Sequence, residues 1–230
     1  QELNLTSQQK QQLLNELNNS LTSDERFYTY KFIDKNCTTM VVDKINKILG
    51  SEVLKQPKSE QSYRDILYPY MSDFYMKLGI QIIFGAKVDE PATRLFLPLE
   101  LEKVLETVTL NGKKIAQPTK VLNDNSVTVP FSWLNSIYSL VAAMLLLILL
   151  NKKSIQITYF ILAGLLGLFF FLVGFYSLHE EISWNYNILL YNPLLLVFAY
   201  FYWKNNTQKI ILFGQICIAL TLIYLAYIVS

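Results

Sequence analysis

The spacing of apolar residues changes character near Pro130. Before it they are scattered among polar and charged positions; after it they run together in long stretches broken by short polar connectors. In the first part, Thr6 and Gln9 have capping-box spacing, and Leu13, Leu14, Leu17 and Leu21 follow at helical intervals, which predicts an amphipathic helix over 7–20. Residues 18–24 are turn-like. Tyr28, Tyr30 and Phe32 then alternate with less apolar positions, as in an extended segment packed on one side. Asp34-Lys35-Asn36 predicts a turn. Val41, Val42, Ile45, Ile48 and Leu49 return to helical spacing, with Gly50 as the stop. A polar loop runs to about residue 62. Residues 63–84 predict a helix, then a short helix or loop, with breaks at Pro69 and Gly79; 85–91 is a turn and 98–106 a short helix. Asn111-Gly112 between 107–110 and 113–116 is a hairpin signal. A second short strand pair, 120–122 with 126–129, flanks Asn123-Asp124-Asn125. The expected architecture is an α+β domain with a small core, over 1–130, followed by a membrane region, 131–230.

The apolar half predicts four membrane helices, at 133–150, 157–176, 188–203 and 210–229. A helix needs about 20 apolar residues to cross a bilayer, with about 17 as the lower end. The third is short and interrupted by Pro193. It is kept because without it Lys204 and Lys209 fall on the wrong side. Lys152 and Lys153 join the first two spans, Lys204 and Lys209 the last two, and the connector between the second and third carries Glu180 and Glu181 but no lysine or arginine. The positive-inside rule places the lysine connectors in the cytoplasm and residues 1–130 outside it. Trp133, Tyr176, Trp184, Tyr186, Trp203 and Tyr227 fall near span ends, as an interfacial belt does.

A formal net charge of +2 without a basic, aromatic-laced stripe argues against nucleic acid as a partner. The lone histidine and scattered carboxylates lack metal-ligand spacing. G-x-G-x-x-G, P-loop and G-x-S-x-G patterns do not occur, so no cofactor is expected. Of the two cysteines, Cys217 lies deep in the last apolar run, which leaves Cys37 as a free thiol. If Asn36 caps the helix, Cys37 is its first residue. A thiol there meets the positive end of the helix dipole and unpaired N–H groups, which favour a reactive thiolate and an oxyanion. The plainer reading is a buried structural cysteine.

Phe32, Asp34 and Asn36-Cys37-Thr38-Thr39 resemble the cysteine motif of the Lnb-type bacterial lipoprotein N-acyltransferases. The similarity continues through Tyr63-Arg64-Asp65-Ile66-Leu67, Leu78-Gly79-Ile80, Phe84-Gly85, Asp89 and Leu95-Phe96-Leu97-Pro98. It resumes at His179, Asn185, Asn187 and Asn192-Pro193. The resemblance implies a permuted papain- or NlpC-like thiol fold in the bacterial inner membrane, with its enzyme domain in the periplasm. It also implies transfer of an acyl chain from a phospholipid donor to the amine of a diacylated lipoprotein, with Cys37 as nucleophile. Asn36, Thr38 and Thr39 then hold the site, and Arg64 and Arg94 are candidate phosphate contacts. His179, Glu180, Trp184, Asn185 and Asn187 are candidates to cover its lipid-facing side.

The family order places a histidine before the cysteine, and none precedes Cys37 here. Gln1 is not an initiator and no export signal is present. The expectation is a missing N-terminal segment that supplies the base, with His179 as the other candidate. The alternatives are a non-enzymatic membrane module that binds a partner and a thiol peptidase acting near the membrane.

Overall fold

The computed structural model describes residues 1–58, 60–123 and 130–229. Its helices, in chain order, are α1 (Ser7–Thr22), α2 (Cys37–Leu49), α3 (Tyr63–Leu67), α4 (Phe74–Ile83), α5 (Pro98–Thr107), α6 (Ile137–Leu150), α7 (Lys153–Tyr176), α8 (Leu194–Trp203) and α9 (Thr207–Val229). The chain forms two units. The first comprises Gln1–Leu67 with Glu90–Thr128, and the second Tyr68–Asp89 with Val129–Ser230.

The first unit is more helical than the α+β expectation. Among the described residues its sheet is one short ladder, β1 (Thr109–Leu110) with β2 (Lys113–Lys114), pairing Thr109 with Lys114 and Leu110 with Lys113. Asn111 and Gly112 both have positive φ, 52° and 77°, the conformation that this two-residue turn requires. The expected strand at 120–122 is irregular, and its partner at 126–129 lies outside the described residues. Leu3 adds an antiparallel bridge to Ala116. The core is built from Val42 and Ile45 of α2, Leu101, Val104 and Leu105 of α5, and Leu54, Leu95, Ile115 and Ala116 between them.

Helix α1 has the expected Thr6–Gln9 capping box. Its leucine stripe is not a core face: Leu14, Leu17 and Leu21 are exposed, and the helix meets α2 through Glu16, whose carboxylate lies 2.7 Å from Lys47 Nζ and 3.4 Å from Lys44 Nζ. The Lys47 ammonium holds the Glu16 carboxyl below its ordinary range. The expected packed strand before α2 is likewise absent. Tyr28 and Tyr30 are exposed, Ile33 is the fully buried residue, and the turn comes earlier than expected, closed by reciprocal Lys31–Lys35 backbone bonds of 3.0 and 3.1 Å. That turn breaks the two-residue alternation and rotates Ile33 inward.

In the second unit α7 and α9, of 24 and 23 residues, are long and apolar enough to cross a membrane, while α4 and α6 are shorter apolar helices. The predicted third span is divided into a 3₁₀ turn at Tyr186–Leu189 and α8, which begins after Pro193. Proline supplies no N–H and disfavours helix in the preceding residue, so the break falls there. The broken segment lies close against α7. A Cβ on Gly167 would sit 1.6 Å from the Tyr191 carbonyl oxygen, so only glycine fits. Gly79, expected to break its helix, is an ordinary interior residue of α4; Pro69 does end α3, in a 3₁₀ turn. A single glycine costs a helix only about 1 kcal/mol, which the surrounding contacts offset.

Candidate active site at the start of α2

Cys37 is the first residue of α2 and its side chain is exposed. Its neighbours are not: Asn36, Thr38 and Thr39 are all buried. Asn36 caps the helix as the sequence predicts. Its Oδ1 accepts the Thr39 N–H at 2.9 Å, and its own N–H donates to Thr39 Oγ1 at 2.8 Å. The Asn36 amide nitrogen does something no cap signal contains. It donates to the Phe32 carbonyl at 2.7 Å and to the Phe96 carbonyl at 2.8 Å. One side chain thus ties the helix start, the preceding turn and the 91–97 segment together, with every polar atom of its amide used.

That segment is fixed by Tyr63, a residue the sequence offers only as part of a motif. The Tyr63 hydroxyl accepts the Thr93 and Arg94 N–H groups at 3.2 and 3.3 Å, and its ring meets Phe96 edge-on at a centroid distance of 5.3 Å. Phe32 packs against the same Phe96 ring at 5.8 Å. Phe96 and Tyr63 are therefore supports of the cysteine turn. An aromatic signal is visible in sequence, but not its destination.

Arg94 faces Asp43 of α2, with its guanidinium 2.9 and 3.2 Å from the two carboxylate oxygens. These two and Thr39, with Thr93, Asn46 and Leu95, line a cleft of about 130 Å³ beside α2, which Cys37 does not line. Arg64 lies on α3, half-buried, next to Asp65. The Ser62 hydroxyl and N–H, at 2.7 and 2.9 Å, hold the Asp65 carboxyl below its ordinary range.

The remaining candidates belong to the second unit. His179 precedes a 3₁₀ turn, Glu180–Ile182, and its Nδ1 is 3.8 Å from a carboxylate oxygen of Glu181, which is 1% exposed. Trp184 is 89% exposed with a φ of 52°. Asn185 and Asn187 are buried and committed to backbone. Asn185 donates to the Ile82 and Ile83 carbonyls at 2.8 and 3.0 Å, and Asn187 to those of Gln81 and Ile82 at 3.1 and 3.0 Å. Asn187 Oδ1 accepts the Tyr224 hydroxyl at 2.8 Å.

Residues 123–230 match the family model for the Lnb transmembrane domain, and residues 1–68 match that for the Lnb N-terminal periplasmic domain. The two matches support an Lnb-type family. The chain is thus a membrane protein with a periplasmic segment, and Cys37 and its cap fall within the match to the periplasmic domain. No curated protein and no solved structure matches the chain.

Proposed function

We propose that this protein transfers an acyl chain from a phospholipid to the N-terminal amine of a diacylated lipoprotein, through a thioester on Cys37. The observation that carries this reading is an exposed thiol at the first position of a helix whose cap is buried and fully bonded, in an Lnb-type periplasmic domain. In the first step the Cys37 thiolate attacks the ester carbonyl of the phospholipid. The first-turn N–H groups of Cys37 and Thr38, which a helix leaves without internal acceptors, are available to the oxyanion. The C–O bond then breaks and the lysophospholipid leaves as its alcohol, taking up the proton that the Cys37 thiol gave up on ionising. In the second step the lipoprotein amine attacks the thioester, an amide forms, and the amine's proton returns the thiol. Asn36 positions Cys37 and does not react. Arg94, beside Asp43, and Arg64 are the groups we assign to the phosphate of the donor.

In the same reading the first unit is part of a permuted papain- or NlpC-like thiol fold. The helices α6, α7, the broken third segment and α9 are four crossings of the inner membrane, with the lysine connectors in the cytoplasm. The lysine asymmetry supports that orientation, and the exposure of Trp133, Tyr176, Trp203 and Tyr227 near helix ends supports placement across a bilayer.

Cys37→Ser in the full-length protein tests the reaction. N-acylated lipoprotein is expected to disappear by mass spectrometry of the mature N-terminus, while the protein remains in the membrane. A hydroxylamine-labile acyl group on wild-type Cys37 is expected after exposure to phospholipid. Undiminished N-acylation by the serine variant would refute the assignment, and new peptide termini without acylation would identify a peptidase.

A further inference from the structure

Helix α4 belongs to neither matched stretch, since it lies between residues 68 and 123. Within its own unit it presents Tyr75, Met76, Gly79 and Ile83 outward. These positions are spaced by one, three and four residues and form one stripe on a helix. A helix facing water carries polar side chains on its outer stripe. This stripe has no charged or amide side chain, its one polar group being the Tyr75 hydroxyl. A Cβ on Gly79 would meet nothing within 4 Å, so the stripe is open at its middle.

Both ends of α4 are fastened to the same end of the unit. At the start, Asp73 accepts the Met76 N–H at 2.9 Å and Asn135 accepts the Tyr75 N–H at 3.1 Å. The Tyr75 hydroxyl is 2.6 Å from the Ser139 hydroxyl in the first turn of α6. At the finish, the carbonyls of Gln81, Ile82 and Ile83 take the amide protons of Asn185 and Asn187, from the connector between α7 and α8. The Gly85 N–H donates to the Glu181 carbonyl of that connector at 2.8 Å. One ten-residue helix is thus tied both to the start of α6 and to the connector that follows α7. The helix, about 15 Å long at 1.5 Å per residue, therefore lies across the ends of the membrane helices. The last four carbonyls of a helix have no partner within it. Here amide side chains take them, as a low-water setting requires.

The surroundings continue the apolar surface. Phe131, Trp133, Leu134 and Tyr138 are exposed around the start of α6, and Trp184 is exposed beside the finish of α4. Lys77 lies with its ammonium 4.8 Å from the centre of the Tyr68 ring, to the side of the stripe.

We propose that α4 is an interfacial helix, lying in the plane of the periplasmic leaflet with Tyr75, Met76, Gly79 and Ile83 among phospholipid acyl chains. The partner is the bilayer itself, because the stripe is continuous with the aromatic rim of the transmembrane unit. Interfacial helices of this kind bury an apolar face at the headgroup boundary and keep cationic side chains at its edge. The proposal stands apart from the acyl-transfer reading, since it requires only that the second unit sits in a membrane with the start of α6 on the periplasmic side.

The full chain with Met76→Cys, in a Cys37→Ser and Cys217→Ser background, is labelled with an environment-sensitive fluorophore and reconstituted into phosphatidylcholine–phosphatidylglycerol vesicles. Lys113→Cys, on the exposed β-hairpin, is the aqueous reference. Nitroxide carried on the lipid acyl chain is expected to quench the probe at 76 several-fold more than at 113, and iodide on both sides of the vesicle to do the reverse. Ile83→Cys, further along the stripe, is expected to repeat the pattern even if the first variant reconstitutes poorly. Iodide quenching at 76 and 83 equal to that at 113 overturns the proposal. Shielding from both quenchers also overturns it, because a protein surface or a second copy would then cover the stripe.

Discussion

The two units each use asparagine side chains to close a helix end, and they do it with opposite consequences. At α2, Asn36 closes an N-terminus. Its carbonyl oxygen takes a first-turn N–H and its amide holds two distant carbonyls, yet the next side chain, Cys37, is left exposed. At α4, Asn185 and Asn187 close a C-terminus. They take its last carbonyls and, through Tyr224, reach α9. The first arrangement presents a nucleophile on a rigid base. The second presents nothing polar and seals backbone groups from their surroundings. A buried amide that uses both donor and acceptor fixes a local geometry in either case. What differs is whether a reactive side chain projects from it.

The largest effect expected from breaking this comparison is at Asn36. Replacement by alanine removes a cap, worth about 0.5–2 kcal/mol. It also removes the donor that Asn36 gives the buried Phe96 carbonyl, at about 1–3 kcal/mol. The first unit should lose about 1.5–5 kcal/mol, read as faster amide exchange across residues 37–49. Aspartate keeps the cap acceptor but turns an anion toward the Phe32 and Phe96 carbonyls. Asn36→Asp should therefore remain destabilised, and wild-type exchange in that variant would show that capping is the whole of the role.

Asn187→Ala is the matching change in the second unit. It removes the donor to Gln81 and Ile82 and the acceptor of the Tyr224 hydroxyl. A loss of about 1–3 kcal/mol is expected, with increased proteolysis confined to residues 68–89 and unchanged exchange in α2. Protease resistance equal to wild type would mean that the asparagine hook does not hold the segment.

Arg94→Ala is expected to be the mildest. Its ion pair with Asp43 is partly exposed, with side chains 37% and 61% accessible, so the stability change should stay under about 1 kcal/mol. The proposed phosphate contact predicts in addition a higher KM for phospholipid vesicles. An unchanged KM would restrict Arg94 to the ion pair.

Four local signals are read correctly, although the Gly79 break and the position of the turn before α2 are not. The Thr6–Gln9 box, the Asn36 cap, the Gly50 stop with its φ of 65° and the Asn111-Gly112 turn each depend on a few neighbouring residues, and each is formed. The long apolar runs of α7 and α9 are equally explicit, because a bilayer-length stretch needs no partner to be recognised. The tertiary structure alone decides the rest. It turns Ile33 inward and leaves Tyr28 and Tyr30 out. It gives residues 68–89 to the second unit and sends the Asn36 amide to a carbonyl 60 residues away. Local periodicity specifies which face of an element is apolar. It does not specify which buried carbonyl elsewhere lacks a donor, and that unmet demand, settled only when the chain is packed, determined where these asparagines went.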